Sequence, residues 1–413
     1  MTTSFTQRTP AMKTIAREDA VDALGAELGL LRVKHVLLVC SGSVRRSTLH
    51  ARVLFQLEGL AVTQSQDIPS HSSVELVEQL AAQALCHGTQ AIVAVGGGSS
   101  SDTAKAIALL MAEGGRLADH ASSFTPPNDL HIPQLLQPKI PIVTIPCTAS
   151  GAEVTPSLGI RDADGRKLLF TDPQLTSRVV LLDARANVEV PSSIMLSTGI
   201  NGLAHCIEGL YSKERSPLAE LLALDAMQRF ARSLPAVHAA PDDVSARAEL
   251  LYAAHLSGLV LVNARTCLHH AICHAIGSVT GVPHGEANAV MLSHTLRFNA
   301  DAVRPALERA VATVCGGNDV IDWLKNLTQS LPLPRRLRDI GVAREDLDRV
   351  ATKTMGERGL YFNPRTLRTQ AKFATCSNWP TKSNLEITPW TFASSPPTRP
   401  SARASKVLTY PSQ

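Results

Sequence analysis

The chain has 413 residues, 44% hydrophobic and 18% charged, which is ordinary for a globular protein and excludes a disordered chain, a fibrous repeat and a disulfide-stabilised miniprotein. Aromatic residues make up only 4%, which argues against recognition of nucleic acid by base stacking. The net charge of +4 matches the five bases and one acid of residues 371–413, so residues 1–370 are neutral overall and hold no basic excess that would attract nucleic acid.

The first half of the chain predicts strands that alternate with helices. Apolar runs bounded by turns are typical of buried parallel strands, and apolar residues at i, i+3 and i+4 indicate helices. The predicted strands are 35–40, 91–95 and 140–145, and the predicted helices are 47–59, 74–86 and 102–111. Alternation of this kind predicts an open, parallel α/β sheet.

Helical periodicity dominates from about residue 191. The predicted helices are 192–211, 217–240, 244–264, 267–278 and 287–298, with shorter ones to about 355. We therefore expect an α/β dinucleotide-binding domain over 1–187 and an all-α substrate domain over 188–370. Residues 371–413 hold six Pro, seven Ser and six Thr, and this composition predicts a disordered tail.

Cysteine usage and hydropathy bear on location. The eight cysteines are scattered without a CxxC pair, which favours a reducing compartment. No run of 18 apolar residues is present, so we expect no membrane span and no membrane partner. A cytoplasmic protein is the expectation.

Two loops that follow predicted strands are candidate cofactor sites. Gly96-Gly97-Gly98 joins a strand to a helix, where glycine lets backbone N–H groups approach a phosphate and the helix N-terminus favours negative charge. The alternative is a tight strand-to-helix turn. Thr148 and Ser150 follow the third strand and could bond a ribose or phosphate, although an ordinary polar loop would look the same.

Histidines recur at helical spacing in the second half. Asn201 and His205 are four residues apart, His270 and His274 repeat that spacing, and His284 follows in a Pro-His-Gly turn. Imidazoles that converge from separate helices could hold a divalent metal or polarise a carbonyl oxygen. The alternative is a set of hydrogen-bonded core histidines.

These residues, in this order, resemble the iron-containing alcohol dehydrogenase superfamily. The shared motifs are Gly96-Gly97-Gly98-Ser99 with Asp102 and Lys105, then Pro146-Cys147-Thr148, Asn201-x-x-x-His205-x-x-Glu208-Gly209, His270-x-x-x-His274 and Pro283-His284-Gly285. Within the superfamily the closer similarity is to the maleylacetate reductases. It covers roughly residues 30–365.

The resemblance implies a dehydroquinate synthase-like architecture and an NAD(P)H-dependent oxidoreductase. Maleylacetate reductases convert maleylacetate to 3-oxoadipate in the breakdown of aromatic compounds, so a small oxo-acid or enone is the expected substrate and a homodimer the expected assembly. By motif, the cofactor would be held by Gly97, Gly98, Ser99, Asp102, Thr148 and Ser41. The substrate end would be lined by His205, His270, His274, His284, Asn201 and His71, with His274 as the candidate proton donor.

One residue differs from the pattern of the metal-dependent members of the superfamily. They use an aspartate with three histidines, and Asn201 occupies the aspartate position here. Loss of a negative charge weakens a divalent site, so we expect no bound metal. If a metal is bound, its ligands would be His205, His270 and His284.

Coenzyme choice is left open by the sequence. An acid after the first strand would favour NADH, but Ser41-Gly42-Ser43-Val44-Arg45-Arg46 contains none. Arg45 or Arg46 could meet the 2′-phosphate of NADPH, or both could belong to a solvated helix start. Two alternative functions also stay open, a metal-dependent alcohol dehydrogenase and a catalytically weak nucleotide-binding protein.

Overall fold

The computed structural model describes residues 4–126 and 129–367, which lie within one compact unit, Met1–Thr369. The strands are β1 (Lys13–Arg17), β2 (His35–Cys40), β3 (Ala61–Gln64), β4 (Ala91–Gly96), β5 (Ser123–Thr125), β6 (Asp129–His131), β7 (Ile142–Pro146), β8 (Ser157–Arg161), β9 (Lys167–Thr171) and β10 (Val179–Asp183). The helices are α1 (Leu24–Leu30), α2 (Gly42–Arg45), α3 (Thr48–Gln56), α4 (Val74–Cys86), α5 (Gly98–Glu113), α6 (Ala184–Asn187), α7 (Ser192–Tyr211), α8 (Pro217–Ala239), α9 (Val244–Val262), α10 (Leu268–Thr280), α11 (His284–Thr313), α12 (Val320–Gln329), α13 (Leu347–Thr354) and α14 (Gly359–Phe362).

Six strands form one parallel sheet in the order β1-β10-β7-β4-β2-β3. The three predicted strands are β2, β4 and β7, which occupy its centre and are buried on both faces. We call residues 13–183 the sheet layer. The helices from α7 onward, which we call the helical layer, complete the predicted combination of a parallel α/β part and an all-α part.

Alternating side chains of the central strands pack against helices on opposite faces of the sheet. Leu37, Val39, Ile92 and Ala94 pack with α4 and α5 on one face. Val36, Leu38, Cys40, Val93 and Val95 pack with α1 and α3 on the other. This two-residue period is the geometric consequence of a strand whose side chains point alternately up and down.

Two helices differ most from their predicted extent. The helix expected at 102–111 begins at Gly98, because Gly97 adopts the extended N-cap conformation and the serines after it are already helical. The helix expected at 287–298 is α11, which runs for 30 residues and contains Pro305. The buried residues Val303, Leu307 and Ala310 continue its apolar face, and this packing outweighs the hydrogen bond that the proline removes.

A buried arginine secures the connection between the two layers. Arg247 on α9 is 1% exposed, and its guanidinium donates to the carbonyls of Asn187 (3.0 Å), Val190 (2.9 Å) and Pro241 (2.8 Å). Two of these bonds occupy carbonyls of the α6–α7 segment. The division of the chain at residue 187 stays a prediction.

The antiparallel hairpin β8–β9 reaches from the sheet layer to α10. Arg161 Nη2 donates to the carbonyl of Gly277 at 3.1 Å, and Ser278 Oγ donates to the carbonyl of Gly165 at 3.3 Å. The hairpin therefore forms one wall of the cleft between the layers.

In residues 4–126 and 129–367, no helix combines the length and the apolar character needed to cross a bilayer. The tail at 371–413, predicted to be disordered, lies outside the described residues.

Candidate active site

The carboxyl ends of β2 and β4 mark the point where the strand order reverses. The chain leaves β2 toward the edge strand β3 and then returns past β2 to β4. In open α/β sheets, ligands bind at such a switch point. Both turns that follow these strands, Ser41-Gly42-Ser43 and Gly96-Gly97-Gly98, lie there.

The three glycines of the loop differ in whether the surrounding structure would allow a side chain. Gly96 has a φ of 141°, and a Cβ there would lie 2.5 Å from Ser100 Oγ. A Cβ on Gly97 would lie 2.9 Å from the methyl group of Thr148. A Cβ on Gly98 would meet only ordinary contacts, 3.5 Å from Ala152 and 3.6 Å from Ser150. The fold itself therefore requires Gly96 and Gly97, whereas Gly98 leaves space beside the first turn of α5.

The polar side chains predicted to bind the cofactor are partly engaged within the protein. Ser99 Oγ donates to the carbonyl of Ser70, and Ser41 caps α2. Asp102 accepts from the N–H of Gly159 at 3.1 Å, and burial raises the pKa of its carboxyl group. Thr148 Oγ1 lies 3.3 Å from Ser150 Oγ. At this site backbone N–H groups at the start of α5, rather than side chains, are the donors best placed for a pyrophosphate.

Lys105 fixes the second loop against α5. Its ammonium group is buried and donates to the carbonyls of Ala152 (2.6 Å) and Thr155 (2.7 Å). Burial lowers the pKa of Lys105 to about 8, with Asp102 and Glu153 opposing that shift. This lysine holds the segment after Thr148 in place and has no free donor direction toward a ligand.

Four of the predicted histidines come together across the cleft. His205 comes from α7, His270 and His274 from α10, and His284 from the first residue of α11. The ring centroids of His205 and His270 are 4.8 Å apart, those of His270 and His284 5.8 Å, and those of His274 and His284 5.3 Å. Burial lowers the pKa of all four, so neutral imidazoles line this end of the cleft.

A buried carboxyl group lies behind His270. Glu208 is 0% exposed, and its Oε2 is 2.7 Å from His270 Nδ1. Its oxygens also accept from the N–H groups of Cys267 (2.9 Å) and His269 (2.8 Å). On the other side of the ring, His270 Nε2 lies 3.1 Å from Asn201 Oδ1. Glu208 and Asn201 therefore hold the His270 ring between them, and burial raises the pKa of Glu208.

Glu208, His269 and His270 offer three potential ligand atoms within 4.8 Å of one another. The carboxyl oxygens of Glu208 are already used by backbone N–H groups and by His270. His269 is fully buried with its Nε2 3.3 Å from the carbonyl of Asn288, and burial lowers its pKa to about 3. This group is a hydrogen-bonded support for the cleft and fits a cation poorly.

His274 has a carboxylate partner of its own. Its Nδ1 lies 3.3 Å from Oε2 of Glu357, which precedes α14. Burial and the charge of Lys167 lower the pKa of His274, and Glu357 opposes that shift. Glu357 therefore orients the ring and favours its protonated form.

Two cations that the sequence analysis did not single out stand beside the histidines. Lys167 on β9 crosses the surface of Gly159, and its charge acts on His270, His274 and His284. Among the described residues, the ammonium group of Lys167 has no hydrogen bond and no ion pair, although the charges of Asp102 and Glu357 act on it. Burial lowers its pKa. An unpaired, desolvated ammonium group in a cleft is a strong site for an anion.

Arg358 is the second cation. Its Nη1 donates to Thr171 Oγ1 at 3.0 Å and to Ser122 Oγ at 3.2 Å, and no described carboxylate forms an ion pair with it. Burial lowers the pKa of Arg358 to about 10. His71 lies on the same side of the cleft, where desolvation and the charges of Arg161 and Lys167 lower its pKa to about 4.

A turn signal could have led to Lys167. Asp164-Gly165 is a typical hairpin turn between two alternating segments, and it predicts β8 and β9. Arg358 and Glu357 follow a short helix in a segment without periodicity, and no sequence signal marks them.

A glycine loop at the switch point of a parallel sheet, facing a cleft lined by histidines and cations, defines a dinucleotide-dependent oxidoreductase. Comparison with known proteins agrees. Residues 11–184 match the model of the iron-containing alcohol dehydrogenase family, and residues 195–375 match the model of its C-terminal region. The chain belongs to the iron-containing alcohol dehydrogenase family, whose members are NAD(P)-dependent oxidoreductases.

Individual relatives include both types of enzyme. A maleylacetate reductase from Pseudomonas sp. strain P51 is 31% identical over 356 residues, 85% of this chain and 90% of the relative. The solved maleylacetate reductase from Rhizobium sp. strain MTP-10005 is 28% identical with a TM-score of 0.75, covering 89% of this chain and 95% of that one. An iron-containing alcohol dehydrogenase from Corynebacterium glutamicum is 27% identical with a TM-score of 0.76, covering 89% and 94%.

Proposed function

We propose that the chain reduces the carbon–carbon double bond of maleylacetate, or of a closely related small oxo-acid or enone, with NADH or NADPH. The pathway in this proposal is the breakdown of aromatic compounds or a related one. The observation that carries it is the pair of cations, Lys167 and Arg358, beside the four clustered histidines. Maleylacetate is a dicarboxylate, and desolvated ammonium and guanidinium groups bind carboxylates more strongly than exposed ones do.

The coenzyme, when bound, supplies the hydride. In this proposal backbone N–H groups of Gly97, Gly98 and Ser99 at the start of α5 hold its pyrophosphate. Asp102 anchors that turn to the hairpin through Gly159, and Thr148 and Ser41 lie along the coenzyme. Lys167 and Arg358 hold the two carboxylates of the substrate.

A proton must reach the carbon next to the ketone when hydride adds to the other carbon of the double bond. His274 in its protonated form is the proposed donor: Glu357 accepts from Nδ1–H and favours this form, and Nε2–H gives its proton to the carbon, which leaves a neutral ring. His205, His270 and His284 line the cleft; both ring nitrogens of His270 are engaged by Glu208 and Asn201, so His205 and His284 are the rings that can donate to the ketone oxygen as charge develops there. Asn201 holds His270, and His71 lies near Lys167 on the hairpin side.

The donor set fits a divalent metal poorly. Three neutral imidazoles and the neutral amide of Asn201 supply no negative charge, and Lys167 adds a positive one nearby. We therefore propose a reaction in which no step depends on a metal ion.

A second candidate function is supported by a different observation. The buried carboxyl of Glu208 behind His270 is the arrangement that usually orients a metal-ligating histidine. A metal-dependent alcohol dehydrogenase with His205, His270 and His284 as ligands is the function that this arrangement favours.

The test is oxidation of NADH and of NADPH with maleylacetate, on protein stripped with chelator, before and after addition of Fe²⁺ or Zn²⁺. We expect oxidation without metal. Lys167→Met should raise the KM for maleylacetate by about tenfold or more, because a charge-assisted bond is lost. Lys325→Met, at an exposed lysine on α12, is the control and should leave KM unchanged.

Activity that depends on added metal would favour the second candidate. An unchanged KM in Lys167→Met would remove the cation that carries the proposal. We also propose a cytoplasmic homodimer, the location resting on the cysteine pattern and the assembly on the family resemblance alone.

A further inference from the structure

A carboxylate that the sequence analysis did not consider lies at the carboxyl end of β2. After β3 the chain keeps running beside β2, where Ser65 donates its N–H to Leu38 (2.9 Å) and Ile68 donates to Cys40 (3.1 Å). This course brings Asp67 alongside the turn at Gly42. A Cβ on Gly42 would overlap Oδ2 of Asp67, so the carboxylate lies directly over that glycine.

The nearest arginine is already committed. Arg45 donates through Nε to Asp67 Oδ1 (2.7 Å), through Nη1 to Gln64 Oε1 (2.8 Å) and through Nη2 to the carbonyl of Ser65 (2.6 Å). All three nitrogens of its guanidinium group therefore face the β3 loop. Asp67 Oδ2 takes no part in this network and stays available above Gly42.

This position matters because of where it lies in the sheet. β2 is the neighbour of β4, the strand that carries the glycine loop. In dinucleotide-binding folds the pyrophosphate binds at the glycine-rich turn, and an acid at the end of the adjacent strand accepts from the ribose 2′-OH of NAD. Asp67 supplies an acid at that place from the following loop rather than from β2 itself.

We propose that Asp67 makes the enzyme prefer NADH to NADPH. Its free carboxylate oxygen accepts a hydrogen bond from a 2′-hydroxyl and repels a 2′-phosphate. This inference rests on the dinucleotide site of the proposed function. It replaces the earlier expectation that Arg45 could serve a 2′-phosphate, since Arg45 would first have to leave three partners.

Arg46 limits the size of the preference. It is exposed, its side chain has no hydrogen bond or ion pair among the described residues, and its Nη1 lies 3.2 Å from the position of a Cβ on Gly42. The side chain of Asp67 is 53% exposed, so water and salt screen its charge. We therefore expect a preference of about tenfold rather than an absolute one.

The experiment measures the binding of NADH and NADPH by nucleotide fluorescence, without substrate, in the wild type and in Asp67→Asn. Asparagine keeps the volume and can still accept from Arg45, so the substitution removes the charge alone. The wild type should bind NADH about tenfold more tightly than NADPH, and Asp67→Asn should reduce that ratio to near one. Asp119→Asn is a matched control, since Asp119 is 51% exposed and pairs with Arg116 at 2.7 Å.

The outcomes separate this inference from the proposed function. If both coenzymes bind and Asp67→Asn leaves their affinity ratio at the wild-type value, Asp67 does not select the coenzyme. A wild type that prefers NADPH would overturn the inference as well. If neither coenzyme binds to the wild type, the dinucleotide site itself is refuted.

Discussion

The glycine loop and the histidine cluster are built in opposite ways. At the loop, absence of side chains leaves backbone N–H groups accessible, and the nearby Ser99 and Asp102 bond within the protein. At the cluster, long side chains from α7, α10 and α11 fill the cleft and are oriented by Glu208 and Glu357. A site made of backbone is damaged by added volume, and a site made of side chains is damaged by removal.

The largest effect should come from added volume at Gly98. The Cβ itself fits, but the methyl groups of valine would extend into the space beside the first turn of α5, where the pyrophosphate is expected. We expect Gly98→Val to weaken NADH binding by about 100-fold or more, measured by fluorescence titration. Gly29→Val on α1, where nothing lies within 4 Å of the added Cβ, is the control. Wild-type NADH affinity in a folded Gly98→Val protein would contradict the assignment of the loop.

Removal of one imidazole should lower kcat and leave NADH binding unchanged, in contrast to added volume at Gly98. His274→Ala deletes the proposed proton donor, and we expect kcat to fall by about 100-fold while NADH affinity stays at the wild-type value. His238→Ala, at an exposed histidine on α8, tests whether loss of any helical histidine has the same effect. A wild-type kcat in His274→Ala would remove His274 from the mechanism. Weakened NADH binding in that variant would mean that the histidine cluster also contributes to coenzyme binding.

The difference between the glycine loop and the histidine cluster also explains what could be predicted from sequence. The central strands and the glycine loop are local features, each marked by an apolar run or a Gly-rich turn. The edge strands β1 and β3 and strand β10 were not predicted. In β1 and β3 the burial is incomplete, so their patterns are weak. β10 is fully buried, but its five residues, Val179–Asp183, were not separated from the neighbouring loops.

The supports of the histidine cluster are non-local. Glu208 is 62 residues from His270, and Glu357 is 83 residues from His274. Helical spacing predicts that Asn201 shares a face with His205, but nothing in it predicts which carboxyl group faces which ring. The position of Asp67 is non-local for a related reason, because Asp67 reaches the end of β2 from the loop after β3.

The response to acid compares the two layers directly. In the helical layer burial lowers the pKa of six described histidines, which are His205, His269, His270, His274, His284 and His294. Below pH 6.5, the ordinary pKa of histidine, these side chains bind protons in the unfolded chain that they do not bind in the folded protein. Stability is therefore retained above pH 6.5 and lost as the pH falls, by up to about 1.4 kcal/mol per pH unit for each such group.

Hydrogen exchange at pH 7 and pH 5, corrected for intrinsic rates, should show this as reduced protection in α10 and α11. Protection of β2 and β4 should change less, because His71, whose pKa is lowered to about 4, lies at the cleft edge rather than between these strands. His294→Gln on α11 removes one titrating group away from the cleft and should lessen the acid-induced loss in that helix. Equal losses in both layers would mean that acid acts on global unfolding and not through the buried imidazoles of the helical layer.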